Sequence, residues 1–511
     1  RKPKRRAGGG IPISLQDSLM ERLDRVGQAK TVARVGSVLG RSFSRELISE
    51  VGDFDANYLE AALITLSDAG LIYREIDQRG KESFVFKHGL VQEAAYDSLL
   101  REERQRLHAG TAQALCKLVP SIAESRPDLL ANHLSAGGSH EEAARLWLQA
   151  GRISLVQSAI VEAVHHLRRG VEALDQLPET PEVQALRLQL LIRLGPALIA
   201  LNGPGSSEVE EIYAKGYELC RSLPESEDHF PVYWGWWRLS RDFNQMNKRA
   251  DELLVRADAR KDEELLLQAH HCQWASHFNR GDFHGCLEHI GCGLDLYEKG
   301  DYRTHATLYG NHDAKVCGHG ERSLVYWLLG RPEEAMESER LAQAWMETLG
   351  HGGSWMHHKD ITIMHRLYRR DAGEVLRIAE EMIAFAEEQG FTDHRAKALV
   401  FAGWAHARLG NPSKGLTEIR EGLERQKLIG TREDFPVYYD MFAEVLALNG
   451  RIDEALEETT AAQADFEAMG LRIWLPELRR RVGYLLQLRM PHDPEPAVAA
   501  YRSALDLASD Q

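Results

Sequence analysis

Gly350, Gly390, Gly430 and Gly470 stand 40 residues apart, and a second row of turn positions, Gly330, Arg370, Gly410 and Gly450, runs 20 residues ahead of the first. A strict period of that size predicts a solenoid of helical repeats, because such a repeat buries its apolar face only by stacking on its neighbours. In 332–349 the segment opens with Pro332, Glu333 and Glu334, which suit a first helical turn. It stops at Gly350, the residue type that takes up left-handed backbone beyond a helix C-terminus. Pro412 repeats the signal of Pro332, while Pro436 and Pro476 mark the starts of the other helix. The unit reads as helix, turn, helix, turn.

Small residues recur inside the unit at spacings of twelve and then seven: Ser323, Ala335 and Ala342; Gly403, Gly415 and Gly422; Ala443, Ala455 and Ala462. Those offsets place small side chains where two antiparallel helices cross closely. This is the tetratricopeptide pattern, lengthened to 40 residues from a usual period of about 34. The unit between carries Ile363, Val375 and Met382 instead, which predicts a more splayed pair. Gly483, Ala497 and Ala504 extend the series with two extra residues. Because 501–507 lacks the polar face of a capping helix, the chain is expected to continue past Gln511.

A chain of 511 residues with 43% hydrophobic content is a large folded protein or a folded piece of one. Its net charge of −15 disfavours general nucleic-acid binding, which needs basic surface to displace counterions from phosphates. No apolar stretch reads as a membrane span, and no signal peptide is visible. Residues 1–12, beginning Arg1, Lys2 and lacking an initiator Met, are expected to be a linker or a truncated edge. Six cysteines without a C-x-x-C pair fit a reducing, cytoplasmic setting.

Residues 13–118 lack the repeat. Leu15, Leu19, Leu23 and Val26 form one helical stripe, 32–39 another, and Leu59, Leu63 and Leu66 a third. Then 71–76 and 83–87, separated by Asp77, Gln78, Arg79 and Gly80, read as a β-hairpin, with a helix from about Gly89. The fold class expected is mainly α: a winged-helix domain over 13–118, followed over 119–511 by an α-α superhelical tetratricopeptide solenoid, most regular over 316–511.

A winged helix suggests DNA readout by its third helix, yet 55–68 carries Asp55, Glu60 and Asp68 and no Lys or Arg. Phosphates would repel that face, so an intramolecular brace is expected instead. His88, between the second wing strand and the next helix, either places its imidazole on a phosphate or serves as a capping or core histidine. Segment 270–319 is rich in His and Cys, but the spacings of structural metal sites are absent, so no metal is expected. Tyr233, Trp234, Trp236 and Trp237 around Gly235 read as a helix interior or as a binding platform. In the repeats, the face preceding each turn should carry His357, Tyr368, Lys397, Trp404 and Arg408 towards a partner, against the alternative of a solvated surface. No P-loop, G-x-S-x-G or H-E-x-x-H motif occurs, and no catalytic residue is assigned.

The runs 11–25, 86–96 and Arg106-Leu107-His108 resemble the winged-helix segment of bacterial STAND-type ATPases. Together with Tyr309-Gly310-Asn311-His312-Asp313, 327–330 and 388–391, they are similar to large proteins that join a class III adenylate/guanylate cyclase domain, an AAA-like ATPase domain and tetratricopeptide repeats. The resemblance implies that His88 senses the β-phosphate, although its Lys87-His88-Gly89 context departs from the family's M-H-D motif. It also implies that ATP or ADP with Mg²⁺ binds an upstream domain against which this one folds, with a protein or small effector in the repeat groove and no cofactor in this chain. Two other readings stand beside it: a repeat-bearing transcriptional regulator with its DNA-binding domain elsewhere, and a plain scaffold.

Overall fold

The computed structural model describes residues 13–76, 81–240, 242–430 and 432–511, with side chains from residue 18 onward. The expected linker 1–12 and the hairpin turn 77–80 lie outside the described residues. Among the described residues there are 26 α-helices and one three-stranded antiparallel sheet. Packing divides the chain into two compact units, one running to Ala150 and including Arg168–Leu186, the other comprising Gly151–Leu167 and Arg187–Gln511.

In the first unit, strands β1 (Ser42–Ser44), β2 (Ile72–Ile76) and β3 (Glu82–Phe86) lie in the order β1-β3-β2. Tyr73 faces Val85 on one side of β3 and Ser42 faces it on the other. The expected hairpin is β2 and β3; β1 and the helix Arg45–Gly52 had no signal in the sequence. A strand of three residues shows no period, and the helix is launched by a single cap, Ser44 Oγ accepting from Leu47 N at 3.1 Å. The core beneath the sheet joins Leu23, Val32, Ile48, Leu66, Phe86 and Val91. Phe43 reaches it because Gly36 has no side chain: a Cβ there would stand 2.7 Å from the ring.

In the second unit, the regular region pairs Ala314–Leu328 with Pro332–Leu349, Gly352–Tyr368 with Ala372–Gln389, Thr392–Arg408 with Pro412–Ile429, Phe435–Leu448 with Ile452–Met469, and Leu475–Arg489 with Glu495–Ser509. Gly350, Gly390, Gly430 and Gly470 end the second helices at φ values of 62°, 76°, 85° and 77°. The tightest pair crosses at its glycines: a Cβ on Gly403 would lie 2.6 Å from Ile419 N, and one on Gly415 2.3 Å from Gly403 O. The pair that carries Ile363, Val375 and Met382 packs less closely, as larger side chains require.

Segments far apart in the chain also meet within this unit. Thr392 Oγ1 donates to Leu201 O, 191 residues away, and Arg238 pairs with Glu433 across 195 residues. Gly205 lies against Gly430, where a Cβ would stand 2.3 Å from the carbonyl carbon. Asn279 O accepts from Arg472 N at 2.9 Å and Ile473 N at 3.1 Å, and Gln511 Nε2 donates to Arg472 O at 2.9 Å.

One helix corrects the sequence reading. Pro181–Asn202 is 22 residues long and has a window of mean hydropathy 1.3, so by length and composition it could cross a membrane. Yet 78% of that window is buried in the protein, as in a core helix.

The first unit also holds a buried histidine pair. His108 Nδ1 lies 3.0 Å from His133 Nδ1, and its Nε2 lies 3.0 Å from Tyr96 Oη. Burial pushes both imidazoles down to about 4, with Arg104 adding to the effect on His108 and His108 to that on His133. The unfolded chain protonates these rings near their ordinary value of about 6.5, before the folded chain does. Their contribution to stability is therefore complete above about pH 6.5 and falls away as the pH drops towards 4. Urea unfolding between pH 7.5 and 4.5 should show the midpoint of this unit falling, and His133→Gln should flatten that fall.

Candidate functional site

A cavity of about 180 Å³ opens inside the second unit. Helix Gly352–Tyr368 contributes His357 and Asp360, helix Thr392–Arg408 contributes Asp393, His394 and Lys397, and helix Ala314–Leu328 contributes Cys317 and Glu321. His271 comes from Glu263–Arg280, and Trp234, Trp237 and Arg238 from Phe230–Arg238. In that last helix a Cβ at Gly235 would overlap the Tyr213 ring at 1.8 Å, and Trp234 and Trp237 are buried in the packing while also forming part of the cavity wall.

His312 enters the cavity from a tight turn. Gly310 and Asn311 have φ values of 71° and 60°, a pair of left-handed residues that glycine and asparagine tolerate best. Gly353 lets the turn seat, since a Cβ there would stand 2.0 Å from Asn311 O. Asp313 then caps the next helix, accepting from Lys315 N at 2.9 Å and Val316 N at 3.0 Å, and its other contacts are Tyr297 Oη at 2.5 Å and Trp345 Nε1 at 3.1 Å. Held this way, the His312 ring stacks on His357 with centroids 4.0 Å apart and planes at 22°.

Charge in the cavity is concentrated on Lys397. Its Nζ lies 2.9 Å from Asp360 Oδ2 and 2.7 Å from Asp434 Oδ2, and the residue is 7% exposed. Burial works against the ammonium, but Asp360 and then Asp434 outweigh it and hold Lys397 charged, well above its ordinary value. Arg238 is paired with Glu433, and Asp393 accepts from Gln426 Nε2 at 2.9 Å. Burial pushes the Glu321 carboxyl up to about 8, so it is largely neutral at pH 7. Asp360, Asp393, Glu433 and Asp434 therefore face Lys397 and Arg238, and the walls are net negative. Burial also drives His271 and His357 well below the usual histidine range and His312 to about 4.

A second cluster surrounds Glu444. Arg481 donates from Nε to Asp440 Oδ1 at 2.6 Å and from Nη2 to Glu444 Oε2 at 2.8 Å. Arg408 and Arg370 reach Glu444 at 3.2 and 3.3 Å, and Arg370 also reaches Glu477 at 2.6 Å. Arg370 occupies the turn position that is glycine in neighbouring repeats, at φ 57°, and its side chain anchors it there.

Of the expected partner residues, the structure brings His357 and Lys397 together in the cavity. Trp404 and Arg408 belong to the second cluster; Trp404 is fully buried and its indole N–H donates to Glu444 at 3.2 Å, so it presents no surface. Tyr368 stacks on Trp474 with centroids 4.7 Å apart. His88 is exposed at the start of helix Gly89–Asp97, on extended backbone, with no side-chain capping bond. The sequence reading missed Asp360 and Asp434, and it set aside His271, His312 and Cys317 within the His- and Cys-rich segment, because these residues are far apart in the chain and leave no local spacing to read.

No family model matches the chain. An uncharacterized protein of Rhizobium meliloti (strain 1021) is 32% identical over 503 residues, covering 98% of this chain and 49% of the relative. The chain thus spans about half the length of that curated relative. Among solved structures, the Rap protein complexed with Competence and Sporulation Factor superposes with a TM-score of 0.52 at 13% identity, over 72% of this chain and 98% of that one. A STAND protein with a tetratricopeptide repeat sensor from Pyrococcus horikoshii is 13% identical over 98% of this chain and 60% of that one, with a TM-score of 0.33, and adds nothing to the fold assignment. Fold and packing together define a helical-repeat protein of the tetratricopeptide type.

The second cluster makes a stability prediction. Arg481 is 5% exposed, and its removal leaves the buried Asp440 and Glu444 short of a cation. Arg481→Leu should cost about 3–5 kcal/mol in urea unfolding. Adding Asp440→Asn should recover part of that loss.

Proposed function

We propose that this chain is the sensing half of a multidomain signalling ATPase of the STAND type, in which the repeats bind an effector and the first unit relays its presence to a nucleotide-binding domain. The observation that carries the reading is the net-negative cavity of the second unit, whose buried Lys397 is held between Asp360 and Asp434. Such a cavity suits an effector that brings a cationic group, such as the amine or guanidinium of a basic peptide, which can pair with those carboxylates. The Rap protein, solved complexed with Competence and Sporulation Factor, is a precedent for ligand capture by a fold of this kind.

The first unit supports the relay. Its helices with the β1-β3-β2 sheet fit a winged helix over 13–118, and the repeats would then occupy 119–511. Helix Ala56–Asp68 bears no basic residue, so the module suits an intramolecular contact better than DNA. His88 stands exposed where strand passes into helix, able to reach a phosphate of ADP held with Mg²⁺ by a domain elsewhere in the parent protein. A class III cyclase domain as the output, and a cytoplasmic location, complete the proposal.

Two experiments test it. In the full-length protein, His88→Ala should speed ADP release by about tenfold or more, the effect of losing one charge-assisted hydrogen bond; an unchanged release rate would remove the sensor role. A random peptide library panned against the chain should yield basic sequences whose binding Asp434→Asn abolishes. Enrichment of acidic peptides, or none at all, would overturn the effector reading.

A further inference from the structure

The cavity wall contains an arrangement that effector binding does not explain. His271 Nε2 and His312 Nε2 face each other at 3.3 Å, and Cys317 Sγ completes a trio whose ligand atoms all lie within 4.8 Å of one another. Each ring's other nitrogen is committed. His312 Nδ1 lies 3.1 Å from Gly310 O, a carbonyl that only accepts, so Nδ1 carries the proton. His271 Nδ1 lies 3.3 Å from Gln268 Oε1, and the amide nitrogen of Gln268 is spent on His305 Nδ1 at 3.1 Å. His305 Nε2 in turn lies 3.6 Å from Glu264 Oε2. This chain orients the Gln268 oxygen towards His271, so His271 also carries its proton on Nδ1. Both Nε2 lone pairs consequently point at each other with no hydrogen between them.

We infer that His271, His312 and Cys317 form a binding site for a divalent transition-metal ion of borderline softness, Zn²⁺ being the type that fits. With Zn–N bonds of about 2.0–2.1 Å, two histidines on a tetrahedral ion stand about 3.3 Å apart, the separation already present here. Histidine ligands characteristically donate their second N–H to an oxygen acceptor, which fixes the tautomer and aims the lone pair. Both rings do so. Cys317 is 1% exposed, and a small closing movement of its side chain brings the sulfur within bonding distance. On binding, the S–H bond breaks, the sulfur lone pair goes to the cation, and the proton is released to bulk water. Thiolate plus dication adds one positive charge to a net-negative cavity. Three protein ligands leave a fourth position open, as in zinc sites that bind a water or an exogenous group. His357 stacks on His312, and its Nε2 is buried without a hydrogen-bond partner. The site goes beyond the effector reading and does not depend on it.

Co²⁺ titration of the purified chain tests the site, in a Cys116→Ser/Cys292→Ser background that removes the two exposed thiols. One equivalent should bind with the intense visible bands of tetrahedral cobalt and a thiolate-to-metal charge-transfer band. Zn²⁺ should displace it, and Mg²⁺ and Ca²⁺ should not. Cys317→Ser should abolish the charge-transfer band. Gln268→Leu, which touches no ligand atom, should weaken affinity about 10- to 100-fold while circular dichroism stays unchanged. Failure of folded protein to bind one equivalent, a charge-transfer band that survives Cys317→Ser, or an affinity indifferent to Gln268→Leu would overturn the site. The first of these would mean that a shared proton joins the two imidazoles. None of these outcomes bears on peptide panning, so the two proposals fail separately.

Discussion

Backbone lies against backbone where Thr392–Arg408 crosses Pro412–Ile429, and the rest of the second unit depends on that approach. At Gly403, Gly415 and Gly422 any side chain would collide with the partner helix, so the contact distance is set by main-chain atoms and tolerates no substitution without a shift. The helix fixed in this way carries Asp393, His394 and Lys397 on its cavity side, and Trp404 and Arg408 two and three turns further along. Both polar clusters therefore sit on one rigid rail.

Low exposure then decides how the two clusters behave. Around Lys397 the carboxylates outnumber the cations, which leaves attraction for a further positive charge. Around Glu444 the two signs balance, with Arg370, Arg408 and Arg481 set against Asp440, Glu444 and Glu477, so the charges satisfy one another and the cluster serves the fold. The same kind of residue thus performs two tasks, and the local count of charges separates them.

Much of the repeat architecture was legible because it is local. Gly350, Gly390, Gly430 and Gly470 mark helix ends through a backbone demand that only neighbouring residues set, and the spacing of Gly403, Gly415 and Gly422 reports a contact between adjacent helices. The strand Ser42–Ser44 was not legible, because three residues are too few to establish the two-residue alternation of a strand. Lys397 was singled out as a partner residue for the groove, but its carboxylate partners lie 37 residues away on either side, Asp360 on another helix and Asp434 just before a third. His271, His312 and Cys317 were set aside because metal motifs are recognised by short spacing, whereas 41 residues separate the two histidines here. The aim of His312 depends on consecutive left-handed residues at Gly310 and Asn311, a feature that composition does not reveal.

Solenoids ordinarily fray from their ends, since each repeat touches only its neighbours. The contacts of Arg472, Ile473 and Gln511 with the Asn279–Gly281 turn, together with the seam at Gly205 and Gly430, break that rule. The last helices are bonded to the middle of the unit as well as to the preceding repeat. Under tension, such an array resists peeling one repeat at a time and gives way in a single rupture once the cross-links part, so it behaves mechanically as a closed ring.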